Sequence, residues 1–252
     1  IDTRPRECYS CSMKPHAISR RWILAALLLV FSGCQTARMA IPSGLSANAD
    51  TFPCLGRGGF SLSEKFSFGP YQVTDVHRGW THRVSWGIIM YENSRARQQY
   101  EFSLQTPAGR TWQGQAATGV RQEELKGMVA GGELTLGLDR SVLYVARLGL
   151  AAQSNAWTLV LAEERGNVVL KGLLADGTTT YRVEGTRQLA GTSMPLMENA
   201  GFLIYAGTQV VAAVDLLNAG SVHFARDLST ARREPLAAAA VALLLYRDIS
   251  RE

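Results

Sequence analysis

Apolar and polar residues alternate with period two along several stretches of the chain: Tyr100-Phe102-Leu104, Leu134-Leu136-Leu138, Trp157-Leu159-Leu161 and the longer Trp80-His82-Val84-Trp86-Ile88-Met90. Successive strand residues point to opposite faces, so each stretch puts one face on a core, as antiparallel strands do. Turn-forming residues fall between the apolar runs, at Pro107-Ala108-Gly109, Ala130-Gly131-Gly132, Glu164-Arg165-Gly166-Asn167, Ala175-Asp176-Gly177 and Asn218-Ala219-Gly220. Asp176-Gly177, after the run Val168 to Leu174, is a hairpin signal. The pattern predicts a mainly β fold, a single antiparallel barrel or sandwich of roughly ten to twelve strands.

Period two breaks down at the end of the chain. Pro235-Leu236-Ala237-Ala238-Ala239-Ala240-Val241-Ala242-Leu243-Leu244-Leu245-Tyr246 is made of helix formers, with Pro suited to a first turn and Arg247 placed to meet the negative end of the helix dipole. It predicts a helix over 235–247 that is apolar on every side. Such a helix lies in a core or in lipid. At a rise of about 1.5 Å per residue its apolar part reaches about 18 Å, short of the ~30 Å hydrocarbon layer, so it is read as a buried pillar of the β-domain. The Phe202-Leu203-Ile204-Tyr205 and Val210-Val211-Ala212-Ala213-Val214 segments followed by this helix resemble the end of the tubby-like and phospholipid-scramblase fold. The resemblance covers about the last fifty residues. It implies a barrel of about twelve strands threaded by its C-terminal helix, and it implies nothing about activity, because shared fold does not establish shared function.

The beginning of the chain carries a third pattern. Residue 1 is Ile and the first Met is Met13, so residues 1–12 are read as an upstream extension. Lys14, Arg20 and Arg21 precede the ten-residue apolar run Trp22 to Phe31, which is followed by Ser32-Gly33-Cys34. A basic region, a short apolar run and small residues are the layout of a secretory signal over 13–33, and the run is too short to span a bilayer. Phe31-Ser32-Gly33-Cys34 resembles the lipobox of bacterial lipoproteins, although Phe31 departs from the usual Leu. That resemblance implies diacylglycerol on the Cys34 thiol, cleavage before Cys34 and acylation of the new amine. With Gln35 rather than Asp next, it also implies sorting to the outer membrane, facing the periplasm. Arg20-Arg21 looks like a twin-arginine export signal as well, but an ordinary charged n-region accounts for it. Two or three acyl chains make an anchor stable, since each buried CH₂ contributes about 0.8 kcal/mol.

This processing changes the picture drawn from composition. Residues 1–33 hold five basic and two acidic residues, so 21 basic face 19 acidic ones in the remaining 219 and the net charge falls from +5 to +2. The remaining Lys and Arg are scattered, which gives no electrostatic footprint for nucleic acid. Cys8 and Cys11 form a CxxC but precede Met13; with Cys34 lipidated, Cys54 is the only thiol left, in an apolar setting that favours a buried, inert side chain. Residues 34–53 are read as the lipidated N-terminus and a flexible tether, on the small and turn-forming residues of Gln35 to Ala49. Residues 54–252 are read as the β-rich domain.

The search for chemistry finds no GxSxG, HExxH, phosphate-binding Gly-Lys-Ser/Thr loop or paired-Cys metal spacing, and no cofactor is implied. Gly56-Arg57-Gly58-Gly59 lacks the strand-to-helix setting of a phosphate loop. The one constellation is His77-Arg78-Gly79-Trp80-Thr81-His82-Arg83-Val84-Ser85-Trp86. Its functional reading is a ligand patch of His77, Arg78, Trp80, His82 and Trp86, with aromatic faces stacking on a sugar or ring. The plainer reading turns Trp80, Val84 and Trp86 onto the core, leaves His82 at its rim and sets Arg78 and Arg83 in water. Two functions from different classes follow. The favoured one is a non-enzymatic envelope lipoprotein that binds a partner protein, lipid or glycan. The rival is an envelope hydrolase acting on peptidoglycan or lipid through a dispersed site near Asp75, His77 and His82. A filled interior favours the binder and a concave pocket of titratable groups the hydrolase.

Overall fold

In the computed structural model two of the alternating stretches, Tyr100 to Leu104 and Trp157 to Leu161, lie on strands that turn one face to a wide interior. Residues 36–57, 64–78, 98–118, 143–151, 156–164 and 167–246 are described. They contain twelve strands: β1 (Ala49–Leu55), β2 (Glu64–Phe68), β3 (Tyr71–Arg78), β4 (Gln98–Gln105), β5 (Thr111–Thr118), β6 (Leu143–Leu150), β7 (Ala156–Glu164), β8 (Asn167–Ala175), β9 (Thr180–Thr186), β10 (Gly201–Ala206), β11 (Gln209–Asp215) and β12 (Ser221–Ala225). Each pairs antiparallel with the next, and β1 pairs with β12, so the sheet closes into a barrel with no free edge. Tyr100, Phe102 and Leu104 on β4, and Leu159 and Leu161 on β7, point inward as their alternation predicts. The Leu134–Leu138 and Trp80–Met90 stretches lie outside the described residues, as does the Ala130-Gly131-Gly132 turn.

The turn chemistry is local. Between β8 and β9, Asp176 Oδ1 accepts from the backbone N–H groups of Thr178 (2.9 Å) and Thr179 (2.7 Å), and Gly177 takes the left-handed backbone the turn requires. Between β4 and β5, Thr106 N–H donates to the Arg110 carbonyl and Gly109 N–H to the Thr106 carbonyl.

A barrel of about eight strands is filled by its own side chains, so twelve leave room for more. The C-terminal helix takes that room. It spans Thr230–Leu245, and every residue from Glu234 to Leu245 is buried against inward-facing residues of the barrel. Ala237 to Ala240 keep the pillar slim while Leu236, Val241 and Leu243 to Leu245 complete the packing. The observed helix begins five residues before the expected Pro235. Ser229 is its N-cap, and Thr230, Ala231 and Arg232 are exposed at the barrel mouth, so an apolar pattern could reveal only the buried part. Pro235 therefore sits inside the helix, where its missing N–H leaves the carbonyl of exposed Ala231 to water. Arg247 lies outside the described residues.

The stretch expected to be a tether is instead structured from Met39 onward. Met39 is buried and bridges Leu189; Leu45, on the one-turn helix Ser43–Ser46, is buried as well. With Ala200, Ala213 and Ala225 they form a second apolar cluster, and residues 49–53, placed within the tether by the sequence reading, are strand β1. The correction has a simple cause. Met39, Ile41 and Leu45 are too few to show a period, yet each finds an outward-facing apolar partner on β10 to β12. Gly201 leaves space for Met39, since a Cβ there would collide with its sulfur.

Candidate functional site

Because the strands run up and down in turn, the connections after odd-numbered strands gather at one end of the barrel and those after even-numbered strands at the other. We call these the first and second rims. The helix enters from the second rim, after β12, and ends at the first.

At the first rim a buried helix end meets a physical problem. Its last four carbonyls have no intrahelical donor, and the barrel wall keeps water away. Each carbonyl is nevertheless partnered. Ala242 O accepts from Tyr100 Oη at 2.5 Å and lies 2.9 Å from Tyr144 Oη; Leu243 O accepts from Tyr246 N–H at 3.2 Å. Arg57 Nε and Nη2 donate to Leu244 O at 3.2 and 2.9 Å, and Arg78 Nη1 donates to Leu245 O at 3.2 Å. Arg57 Nη1 also reaches Leu216 O and Ala219 O, which ties the β11–β12 turn to the helix. Two guanidiniums at the negative end of the helix dipole complement it electrostatically.

At the second rim Glu234, 1 % exposed, is held by three side chains. Thr106 Oγ1 and Arg110 Nε donate to Oε1 at 3.2 and 3.1 Å, while Trp112 Nε1 (3.0 Å) and Arg110 Nη2 (2.6 Å) donate to Oε2. Beside it Arg233, in the exposed half of the helix, pairs with Asp50 of β1 at 3.0 Å. The helix is thus fastened to the β4–β5 hairpin and β1 at one end and to the β1–β2 connection, β3, β4 and β6 at the other.

These polar groups are spent on structure. Burial pushes the Tyr100 and Tyr144 hydroxyls up, so both stay protonated as donors and neither serves as a base. Burial also pushes the Cys54 thiol up to about 11, against a smaller lowering by Arg57, which keeps it in the unreactive form the sequence predicts.

The expected ligand patch divides. His77 is exposed on the outer wall, whereas Arg78 turns inward to the helix end and lies over the Tyr100 ring, 5.7 Å from its centroid. The expectation that Arg78 faces water is therefore corrected. A bulge at Thr74-Asp75 is responsible: Asp75 adopts φ 52°, and the register shifts against both β2 and β4. Without it, strict alternation from Tyr71 and Val73 would carry Asp75 and His77 inside; with it, Val76 and Arg78 are inside and Asp75 and His77 outside. Trp80, His82 and Trp86 lie outside the described residues, as does Cys34.

Sequence reading passed over His223, which lies on β12, on the outer wall opposite Thr51 of β1. Its Nδ1 is 2.9 Å from Thr51 Oγ1 and its Nε2 2.9 Å from Ser221 Oγ. Desolvation lowers its pKa, with Arg38 acting in the same direction and Asp215 opposing. A neutral imidazole donates through one nitrogen and accepts through the other, so the two hydroxyls match it in that form. Both ring nitrogens are met by hydroxyls, whereas a hydrolytic triad sets a carboxylate against one of them. A Ser-x-His spacing on a strand was the available signal, and it is too common to single out. Among the described residues no three His, Cys, Asp or Glu side chains gather as metal ligands. Compared with protein-family models, curated proteins and solved structures, the chain matches none.

Proposed function

We propose that the chain is a lipid-anchored protein of the bacterial cell envelope whose barrel acts as a binding or assembly module, meeting a partner protein, lipid or glycan at its surface. The observation that carries the binding part is the filled interior. From Glu234 to Leu245 the helix occupies the space where a barrel of this size would hold a ligand, and the polar groups at both of its ends are engaged with the wall. The rival hydrolase reading gains little from Asp75 and His77, which are exposed beside the bulge. The anchoring part rests on the Phe31-Ser32-Gly33-Cys34 resemblance and on the ordered signal before it.

The test is metabolic labelling of the full chain with an alkyne palmitate in a bacterial host, followed by separation of membrane and soluble fractions. The wild type is expected to carry label and to sediment with membranes. Cys34→Ala is expected to lose the label and to leave the barrel unanchored, or held only by an uncut signal. Label retained by Cys34→Ala contradicts the assignment.

A further inference from the structure

We propose that the first rim of the barrel rests directly on the phospholipid leaflet that holds the anchor, with Leu55, Met194 and Met197 inserted at the interface. The inference depends on the lipid anchor at Cys34 and adds an orientation and a second membrane contact to it.

Two independent observations converge on that rim. One is the point at which the chain meets the barrel. The Ala37 carbonyl accepts from Asn218 Nδ2 at 2.7 Å, in the β11–β12 turn, and the Arg38 carbonyl accepts from Ala190 N–H at 2.9 Å, in the β9–β10 connection. Both connections belong to the first rim. Met39 N–H donates to Asp215 Oδ2 at 3.1 Å, and Ala40 N–H to the Gln188 carbonyl at 2.9 Å, so the segment is fastened at four successive residues. Cys34 precedes Ala37 by three residues, a reach of at most about 11 Å even when fully extended. Lipid on Cys34 therefore leaves no long spacer, and the bilayer surface lies close to this rim.

The other observation is where the exposed apolar side chains are. Among the described residues three large hydrophobic side chains are exposed: Leu55 (65 %), Met194 (76 %) and Met197 (78 %). Leu55 ends β1 at the first rim, and the two methionines belong to the β9–β10 connection. The connection that carries them is shut at its base, where Ala200 N–H donates to the Thr186 carbonyl at 2.7 Å; within it Leu196 N–H donates to the Arg187 carbonyl at 2.8 Å and Arg187 Nε to the Leu196 carbonyl, which closes a smaller loop around Met194 with Met197 just beyond it. Thr192 Oγ1 accepts from Met194 N–H at 3.2 Å, and Pro195 stiffens the tip. Apolar side chains exposed on a closed loop fit an apolar neighbour, and the one that the anchor brings within reach is lipid.

The orientation is read by placing an environment-sensitive fluorophore at single sites in the full lipidated chain, reconstituted in phosphatidylethanolamine and phosphatidylglycerol vesicles. Met194→Cys and Met197→Cys report the first rim; Ala108→Cys and Thr208→Cys, in exposed turns of the second rim, serve as references. Cys54 is 3 % exposed, and the same burial pushes its thiol up to about 11, so labelling at neutral pH goes to the introduced cysteine. The expected result is a blue shift and loss of intensity with spin-labelled lipid at residues 194 and 197, with neither at 108 and 208. Mass spectrometry of the same samples reports the state of Cys34. Lipidated Cys34 with labels at 194 and 197 as water-exposed as the references overturns the docking and leaves the anchor standing. Unmodified Cys34 overturns the anchor and the docking that rests on it.

Discussion

Tyr100 and Tyr144 have two protons to distribute over three short contacts, the two to Ala242 O and the 2.6 Å contact between their own hydroxyls. One arrangement uses both: Tyr100 donates to the carbonyl and Tyr144 to Tyr100. Removing either hydroxyl leaves the other able to reach the carbonyl, so Tyr100→Phe or Tyr144→Phe alone should cost about 1 kcal/mol. The double variant strands a buried carbonyl and should cost about 3 kcal/mol, more than the two together. Urea unfolding in a double-mutant cycle reads the difference. Simple additivity would mean that Ala242 O has a further donor. At this scale the sequence was least legible. Arg57 was visible only as part of a Gly-rich turn and Arg78 only as part of an aromatic patch, because the carbonyls that engage them belong to a helix more than 160 residues away along the chain. Glu234 was hidden for the same reason, since Thr106, Arg110 and Trp112 reach it from a distant hairpin.

Elements were legible wherever a period or a turn signal was local. The mainly β class, the strands at Tyr100–Leu104 and Trp157–Leu161 and the hairpin at Asp176-Gly177 could be read because neighbouring residues determine them. The helix was readable over its apolar part and misplaced at its start, where polar residues protrude from the mouth. The bulge in β3 was invisible, since Thr74-Asp75 resembles any polar pair in a strand. Yet it decides which side chains of β3 face the helix. Asp75 occupies left-handed backbone that Asn and Gly also adopt readily and that β-branched residues resist. Asp75→Asn should therefore change stability by less than about 0.5 kcal/mol, whereas Asp75→Val should cost about 1–2 kcal/mol. Chemical denaturation compares them, and equal stability of the two variants would show that the backbone conformation at Asp75 is not constrained.

On the scale of the whole molecule, a closed sheet and its own C-terminus form one core. The helix shares one apolar core with the inward-facing strand residues, and its ends are bonded to residues from much of the chain, so barrel and helix should unfold together. This coupling also links the fold to the proposed role. With the interior occupied, the proposed binding falls to the outer wall and the rims, and the first rim collects the chain entry, the helix end and the exposed Leu55, Met194 and Met197. The most direct test compares thermal unfolding of the full chain, of Val241→Asp and of a chain ending at Glu234. An unpaired carboxylate at Val241, 0 % exposed, costs several kcal/mol, comparable to a typical domain stability of about 5–15 kcal/mol. Val241→Asp should melt far below the wild type, and the truncated chain should show no cooperative transition. A truncated chain that melts as cooperatively as the full one, and at nearly the same temperature, would contradict the account.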